Sequence, residues 1–209
     1  MASTGVTQDT LKVGIARLKA AMEADAEMLN AADGQLGDGD LGVTMVRGMR
    51  LVSEKAGDLP DDVGMALMAC AQAFTKTSGS SYGTLLATGL MSMAKTAKGR
   101  TEVPWSELGD LIAGAKDAMM QRGKASLGDK TVLDVLDAIA TATAGQDDPA
   151  AIGDAAIEAT QSTLDRFRNQ EAKIGRARIF AERSVGLDDP GMLAMQRVVM
   201  AFAGKHPAG

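Results

Sequence analysis

Apolar residues in this 209-residue chain recur with helical spacing from end to end, and no stretch alternates convincingly with period two. Leu11, Ile15, Leu18, Met22 and Leu29 predict a first helix over 8–32; Met45, Met49 and Val52 predict a second over 43–56. The third, over 63–76, carries Val63, Met65, Leu67, Met68 and Phe74 and leaves little polar face, which suggests a central position. Leu85, Leu86, Leu90, Met91 and Met93 mark a fourth over 82–97. A fifth runs to about Arg122-Gly123 with Ser106 as candidate N-cap, and a sixth covers 132–144 with Asp129 as candidate cap. The seventh starts at Pro149 and runs to about Lys173; the eighth covers 191–203. All five prolines fall at these breaks, at helix starts or in the tail. Only 3% of residues are aromatic against a 45% hydrophobic share, so the core must be built of Ala, Leu, Met, Val and Ile. That composition favours helices over strands. The expected fold is all-α: an eight-helix antiparallel up-down barrel or bundle, residues 1–209 forming one domain.

Up-down order has a consequence for function. Alternate connections emerge at the same end, and the four connections rich in polar and small residues are one–two, three–four, five–six and seven–eight. They therefore share one rim. The first reads Asp33-Gly34-Gln35-Leu36-Gly37-Asp38-Gly39-Asp40-Leu41-Gly42-Val43-Thr44, three carboxylates and four glycines within ten residues. Acids this crowded repel one another unless a positive charge sits among them. Oxygen-only ligands suit a hard cation, Mg²⁺ or Ca²⁺, rather than zinc. A solvated acidic turn is the plainer alternative, since turns favour Asp-Gly for backbone reasons alone.

Two motif matches fail. Gly37-x-Gly39-x-x-Gly42 follows a helical segment, whereas a dinucleotide fingerprint follows a strand, and Asp38 and Asp40 would face the pyrophosphate unaided. An EF-hand register from Asp33 or from Asp38 lacks the required acids and the Glu at position twelve. The rim also carries Thr44, Ser78, Lys124, Lys130, Arg176 and Arg183, with Lys130 and Arg183 equally readable as surface charges. Helix N-termini bind phosphate, and two Mg²⁺ clamping a phosphoryl group is a recurrent solution, so a nucleoside polyphosphate is the natural ligand. Neither a Walker A motif nor a protein-kinase glycine loop occurs.

Net charge of −5 argues against nucleic-acid or anionic-membrane binding. The single Cys70, inside a helix, reads as a buried apolar residue, and no intrachain disulfide is possible. With no apolar leader and no spanning run, the expected location is the cytoplasm. Tyr82 reads as core. His206, the only histidine, sits in a Gly/Pro tail and is expected in solvent; a sugar held covalently on histidine would therefore belong to another polypeptide.

Taken in order, the motifs resemble the nucleotide-binding L subunit (DhaL, Dak phosphatase domain) family of dihydroxyacetone kinases. Asp33, Asp38 and Asp40 match its acidic loop, and Thr77-Ser78-Gly79-Ser80-Ser81-Tyr82-Gly83-Thr84 its small-residue loop. Arg122-Gly123-Lys124-Ala125, Gly128-Asp129-Lys130-Thr131 and Asp134 match a third segment. Gly175-Arg176-Ala177, Glu182-Arg183-Ser184, Gly186 and Asp189-Pro190-Gly191 match the last. The resemblance implies ADP or ATP with two Mg²⁺ at one end of the barrel. It assigns the ions to Asp33, Asp38 and Asp40. It assigns the nucleotide to Leu41, Gly42, Val43, Thr44, Thr77, Ser78, Gly123, Val132, Arg176, Asp189, Pro190 and Gly191. It further implies a separate K-type, dihydroxyacetone-binding partner and, in some members, a phosphohistidine donor of DhaM type; a homodimer stays open. One departure stands out: where the family loop commonly has His, this chain has Leu41. On the residues alone the same rim also suits a stand-alone Mg²⁺-dependent phosphohydrolase or a nucleotide-binding regulatory protein.

Overall fold

The computed structural model describes residues 4–76 and 80–207. Among them are eight α-helices: α1 (Gln8–Leu36), α2 (Leu41–Lys55), α3 (Val63–Thr75), α4 (Ser81–Ala97), α5 (Leu108–Gly123), α6 (Val132–Thr143), α7 (Pro149–Arg168) and α8 (Pro190–Phe202). Each packs on the next in sequence, and α8 packs back on α1, closing the ring. The fold is an all-α barrel, as the helical periodicity requires.

The starts are set by local chemistry. Thr7 and Thr131 close capping boxes at α1 and α6, and Asp62, Ser80, Asp148 and Asp189 cap α3, α4, α7 and α8 through their side chains. Two cap assignments read from sequence are corrected. Ser106 lies inside a 3-10 turn (Trp105–Glu107), and α5 begins at Leu108 without a side-chain cap. Asp129 instead accepts from the Ser126 amide at 2.8 Å, stabilising its own turn.

Other boundaries shift for physical reasons. Helix α1 runs four residues further than its apolar pattern, so Asp33 sits on its last turns. Helix α7 ends at Arg168, and 3-10 turns at Arg176–Phe180 and Glu182–Ser184 follow before α8. The helical pattern also concealed a short antiparallel ribbon, β1 (Gly5–Thr7) against β2 (Glu102–Pro104), with Val6 opposite Val103. Three residues are too few to show alternation. Helix α3 is one stave of the ring rather than a central helix, and its Met65 is 57% exposed.

The barrel interior is filled by two adjoining apolar clusters. One gathers Met22, Leu29, Met45 and Phe74; the other gathers Met119, Val135, Leu164 and Met192. Tyr82, Leu86 and Val198 touch both. A third cluster, with Val63, Leu67, Ala97 and Val103, closes the end away from the site. Cys70 is buried, and desolvation pushes its thiol up to about 11, which leaves it unreactive. No described helix is long and apolar enough to cross a membrane.

Close approach of staves depends on small residues. A Cβ on Gly64 would lie 2.5 Å from the Ala94 carbonyl oxygen and 2.6 Å from the Lys98 backbone nitrogen. Replacing a helical glycine by alanine ordinarily gains up to about 1 kcal/mol from helix propensity. Here the obstacle is rigid backbone, and overpacking of that kind costs about 1–3 kcal/mol, so the clash wins. Gly64→Ala should lower the stability to urea denaturation by a net amount of about 1 kcal/mol or more.

Candidate functional site

The even-numbered helices α2, α4, α6 and α8 all start at the rim that carries the acidic loop. Four positive dipole ends thus point at one place. Between them lies a cavity of about 540 Å³ bordered by all four polar connections or their flanking helix ends, including Asp33, Ser81, Gly123, Thr131, Arg176 and Asp189. Its walls are largely apolar: Leu36, Leu41, Leu85, Met119, Val132 and Pro190.

Asp33, Asp38 and Asp40 converge at the mouth. Each presents a carboxylate oxygen within 4.8 Å of the others. Two glycines make the arrangement possible. A Cβ on Gly37 would sit 2.4 Å from the Asp33 carboxylate oxygen, and Gly39 takes φ of +77°. The Asp40 amide donates to Asp33 at 3.0 Å. Desolvation, then the charges of Asp38 and Asp33, hold the Asp40 carboxyl above its ordinary range, with Arg176 opposing. The guanidinium of Arg176 reaches across from the α7–α8 segment to pair with Asp38. These are oxygen donors only, negatively charged and mostly solvent-accessible, a set that fits a hard divalent cation.

The loop is anchored from below. Leu41 is 5% exposed and packs in the core while also lining the cavity. Asn30 on α1 accepts from the Val43 amide at 3.2 Å and so holds the first turn of α2. Gly42 presses against the Ala26 backbone of α1, Val43 is exposed and Thr44 is buried. Helix α2 has no side-chain cap at Asp40. Its Asp40 and Val43 amides are taken by Asp33 and Asn30, and Leu41 brings its first turn to the cavity.

On the opposite wall Asp189 caps α8, accepting from the Met192 amide at 2.9 Å. Tyr82 donates its hydroxyl to the Gly191 carbonyl at 3.0 Å, pinning that first turn. Gly123, Val132, Arg176, Asp189, Pro190 and Gly191 all border the cavity. Thr77 and Ser78 lie outside the described residues. Arg122, which the sequence reading did not assign to the site, also borders it and a second cavity beside Thr84, Thr88 and Met91. Its signal was its place in the Arg-Gly-Lys-Ala run.

Two other polar residues, Lys130 and His206, take roles different from those expected, whereas Arg183 is exposed, as a surface charge would be. Lys130 is 1% exposed and turned away from the mouth. Arg183 stacks over the Phe180 ring at 5.1 Å. His206 is buried at 7% exposure, with its Nε2 2.7 Å from Asp25 of α1, because the tail folds back beside α1 and α8. It does not border the cavity, so the structured histidine is not a site residue.

Burial raises the Asp189 carboxyl from 3.8 to about 6, against the stabilising amides of Met192 and Gly191 and the charge of Lys130. The folded chain then holds this proton more tightly than the unfolded chain. The associated stability is present in full below pH 3.8 and is lost as pH rises through about 6. Asn caps helices nearly as well as Asp, so Asp189→Asn should remove this dependence. Urea unfolding of both proteins from pH 4 to 7 should show wild type losing stability relative to the variant over that window.

With this geometry in hand, the comparisons are direct. The DAK2 domain family profile matches residues 35–204, beginning just after Asp33. The chain is 30% identical over 187 residues to the ADP-binding subunit DhaL of the PEP-dependent dihydroxyacetone kinase of Escherichia coli (strain K12), covering 85% of this chain and 89% of that one. It is 32% identical over 183 residues to the Triokinase/FMN cyclase of Homo sapiens, covering 84% of this chain but only 31% of that longer protein. The native crystal structure of the dihydroxyacetone kinase of C. freundii superposes with a TM-score of 0.74 at 23% identity, over 98% of this chain and 36% of that one, a likeness of fold. The chain belongs to the DAK2 domain family.

Proposed function

We propose that this chain binds ADP or ATP together with Mg²⁺ in the rim cavity and serves as the nucleotide-binding subunit of a dihydroxyacetone kinase-type phosphotransferase. The observation that carries the reading is the trio of carboxylates within 4.8 Å, set at the mouth of a cavity faced by four helix N-termini. Such a rim is negative where a cation belongs and positive where phosphates belong. The name of the E. coli relative, an ADP-binding subunit, agrees with it.

In this reading Asp33, Asp38 and Asp40 hold the metal, with room in the ligand set for two ions. Bound Mg²⁺ would neutralise the phosphate chain and the charge that develops during transfer. The protein's own contribution is position. The start of α2, from Leu41 to Thr44, is assigned to the phosphates, and the sequence adds Thr77 and Ser78 to that assignment. Arg176 moves its charge between Asp38 and the phosphates. Gly123, Val132 and Asp189–Gly191 wall the nucleoside, and the apolar surfaces exclude water from the transferring group.

Acceptor chemistry lies elsewhere. Among the described residues that line the cavity there is no histidine, and Leu41 puts an aliphatic side chain at its mouth. Dihydroxyacetone or a similar small ketose is therefore assigned to a separate K-type subunit docking on the rim, with free ATP or a phosphohistidine protein of DhaM type as donor.

Calorimetry with Mg²⁺ and ADP checks the site. Wild type should bind, and Asp38→Asn should abolish metal-dependent binding while leaving the metal-free melting temperature within a few degrees. Arg176→Ala should weaken ADP by about ten- to a hundredfold, the worth of a charged hydrogen bond of about 1.5–3 kcal/mol. Unchanged affinity in Asp38→Asn would exclude the acidic loop as the metal site. Phosphorylation of dihydroxyacetone only on addition of a K-type protein supports the subunit role; phosphate release by this chain alone would support a hydrolase instead.

A further inference from the structure

Lys130 is the largest fully buried side chain of the described residues, and its charge is not spent on a carboxylate. Its ammonium donates to three main-chain carbonyls: Arg168 at 3.1 Å, Gln170 at 2.8 Å and Ser184 at 2.6 Å. An ammonium has three N–H donors, so its capacity is used in full. None is left for a phosphate. Lys130 also adopts φ of +62°, a left-handed conformation that costs a non-glycine residue about 1 kcal/mol or more. The backbone is held there because that conformation aims the side chain inward.

The three carbonyls belong to the two ends of one segment. Arg168 ends α7, where the helix dipole is negative, and Gln170 lies just beyond its C-cap; Ser184 lies on the return towards α8. Between those ends the chain carries Ile174–Ala177 along the cavity and Arg176 to Asp38. Neighbouring bonds reinforce the closure. The Ala172 amide donates to Ser184 Oγ at 2.8 Å, the Gly186 amide donates to the Arg168 carbonyl at 2.8 Å, and Arg168 pairs with both carboxylate oxygens of Asp188. Asp188 and Asp189 supply the negative field that offsets part of the desolvation of the ammonium.

We propose that Lys130 is a positioning residue: it staples residues 168–170 to Ser184 so that the segment between them presents Arg176 to the acidic loop and the phosphates. The role rests on the nucleotide reading above, and it acts through Arg176 rather than by contact with ligand. Loss of the ammonium strips the buried Ser184 carbonyl and the part-buried Gln170 carbonyl of this donor, while the Arg168 carbonyl keeps only the Gly186 amide, and the segment opens to satisfy them with water.

Lys130→Met, close in length but uncharged, tests it. Two readouts are needed. Limited trypsinolysis of the nucleotide-free protein reports the segment, which contains Lys173, Arg176, Arg178 and Arg183. Calorimetry with Mg²⁺ and ADP reports the site. Cleavage confined to this segment should accelerate in Lys130→Met while the far-ultraviolet circular dichroism stays that of wild type. ADP affinity should fall roughly tenfold or more, the usual worth of a supporting residue around a metal site. Equal cleavage rates, or accelerated cleavage with wild-type ADP affinity, would overturn the proposal. Wild-type protein that binds no ADP would overturn the nucleotide reading instead, while trypsinolysis still judges the staple. Should the variant not fold, ¹⁵N spectroscopy of the wild-type lysine ammonium groups decides. A slowly exchanging resonance coupled to main-chain carbonyls supports the closed cage, and its absence overturns it.

Discussion

Three like charges held within a few ångströms set the terms for the rest of the rim. Among the described residues the repulsion among Asp33, Asp38 and Asp40 is answered by the guanidinium of Arg176, and the surrounding elements bring it and the carboxylates together. Asp33 is fixed by α1, Asp40 by the start of α2, and Asp38 by a turn that only glycine neighbours permit. Arg176 comes from the 3-10 turn after α7, which packs beside the end of α1. The ion pair is partly exposed, so its own contribution to stability is small. In the function proposed above, its value is that an arriving cation would replace the guanidinium among the carboxylates and free it for an anion.

The barrel supplies the second ingredient without special residues. Alternating helix direction delivers every second N-terminus to the same end, and α2, α4, α6 and α8 all begin there. Helix dipoles act over about one turn. They matter here because the cavity walls are apolar and keep water away. Binding of a charged ligand then follows from topology and burial together, with few charged side chains.

Much of this was legible in the sequence because it is local. The eight helices follow from apolar spacing, the start of α7 from Pro149, and the acidic trio from eight consecutive residues; the two caps read from sequence, Ser106 and Asp129, were not the ones used. What was not legible depends on atoms far apart in the chain. Lys130 reads as a surface cation because its three acceptors lie 38, 40 and 54 residues away and are backbone carbonyls, which no side-chain pattern announces. His206 reads as a loose tail residue because Asp25 is 181 residues distant. The inward turn of Leu41 is visible only once α1 and α2 are packed. The β1–β2 ribbon was too short to leave a period.

Seven of the eight seams in the ring join helices that follow one another along the chain; the eighth, between α1 and α8, joins its two ends. The seven can zip up from local contacts, whereas the last must gather nearly the whole polypeptide before its first contact forms. At that seam the Phe202 ring lies directly over Gly14, where a Cβ would come within 2.4 Å of it. Phe202 is 48% exposed, so this clasp of the bracelet lies at the outer edge of the last seam and not in the sealed interior.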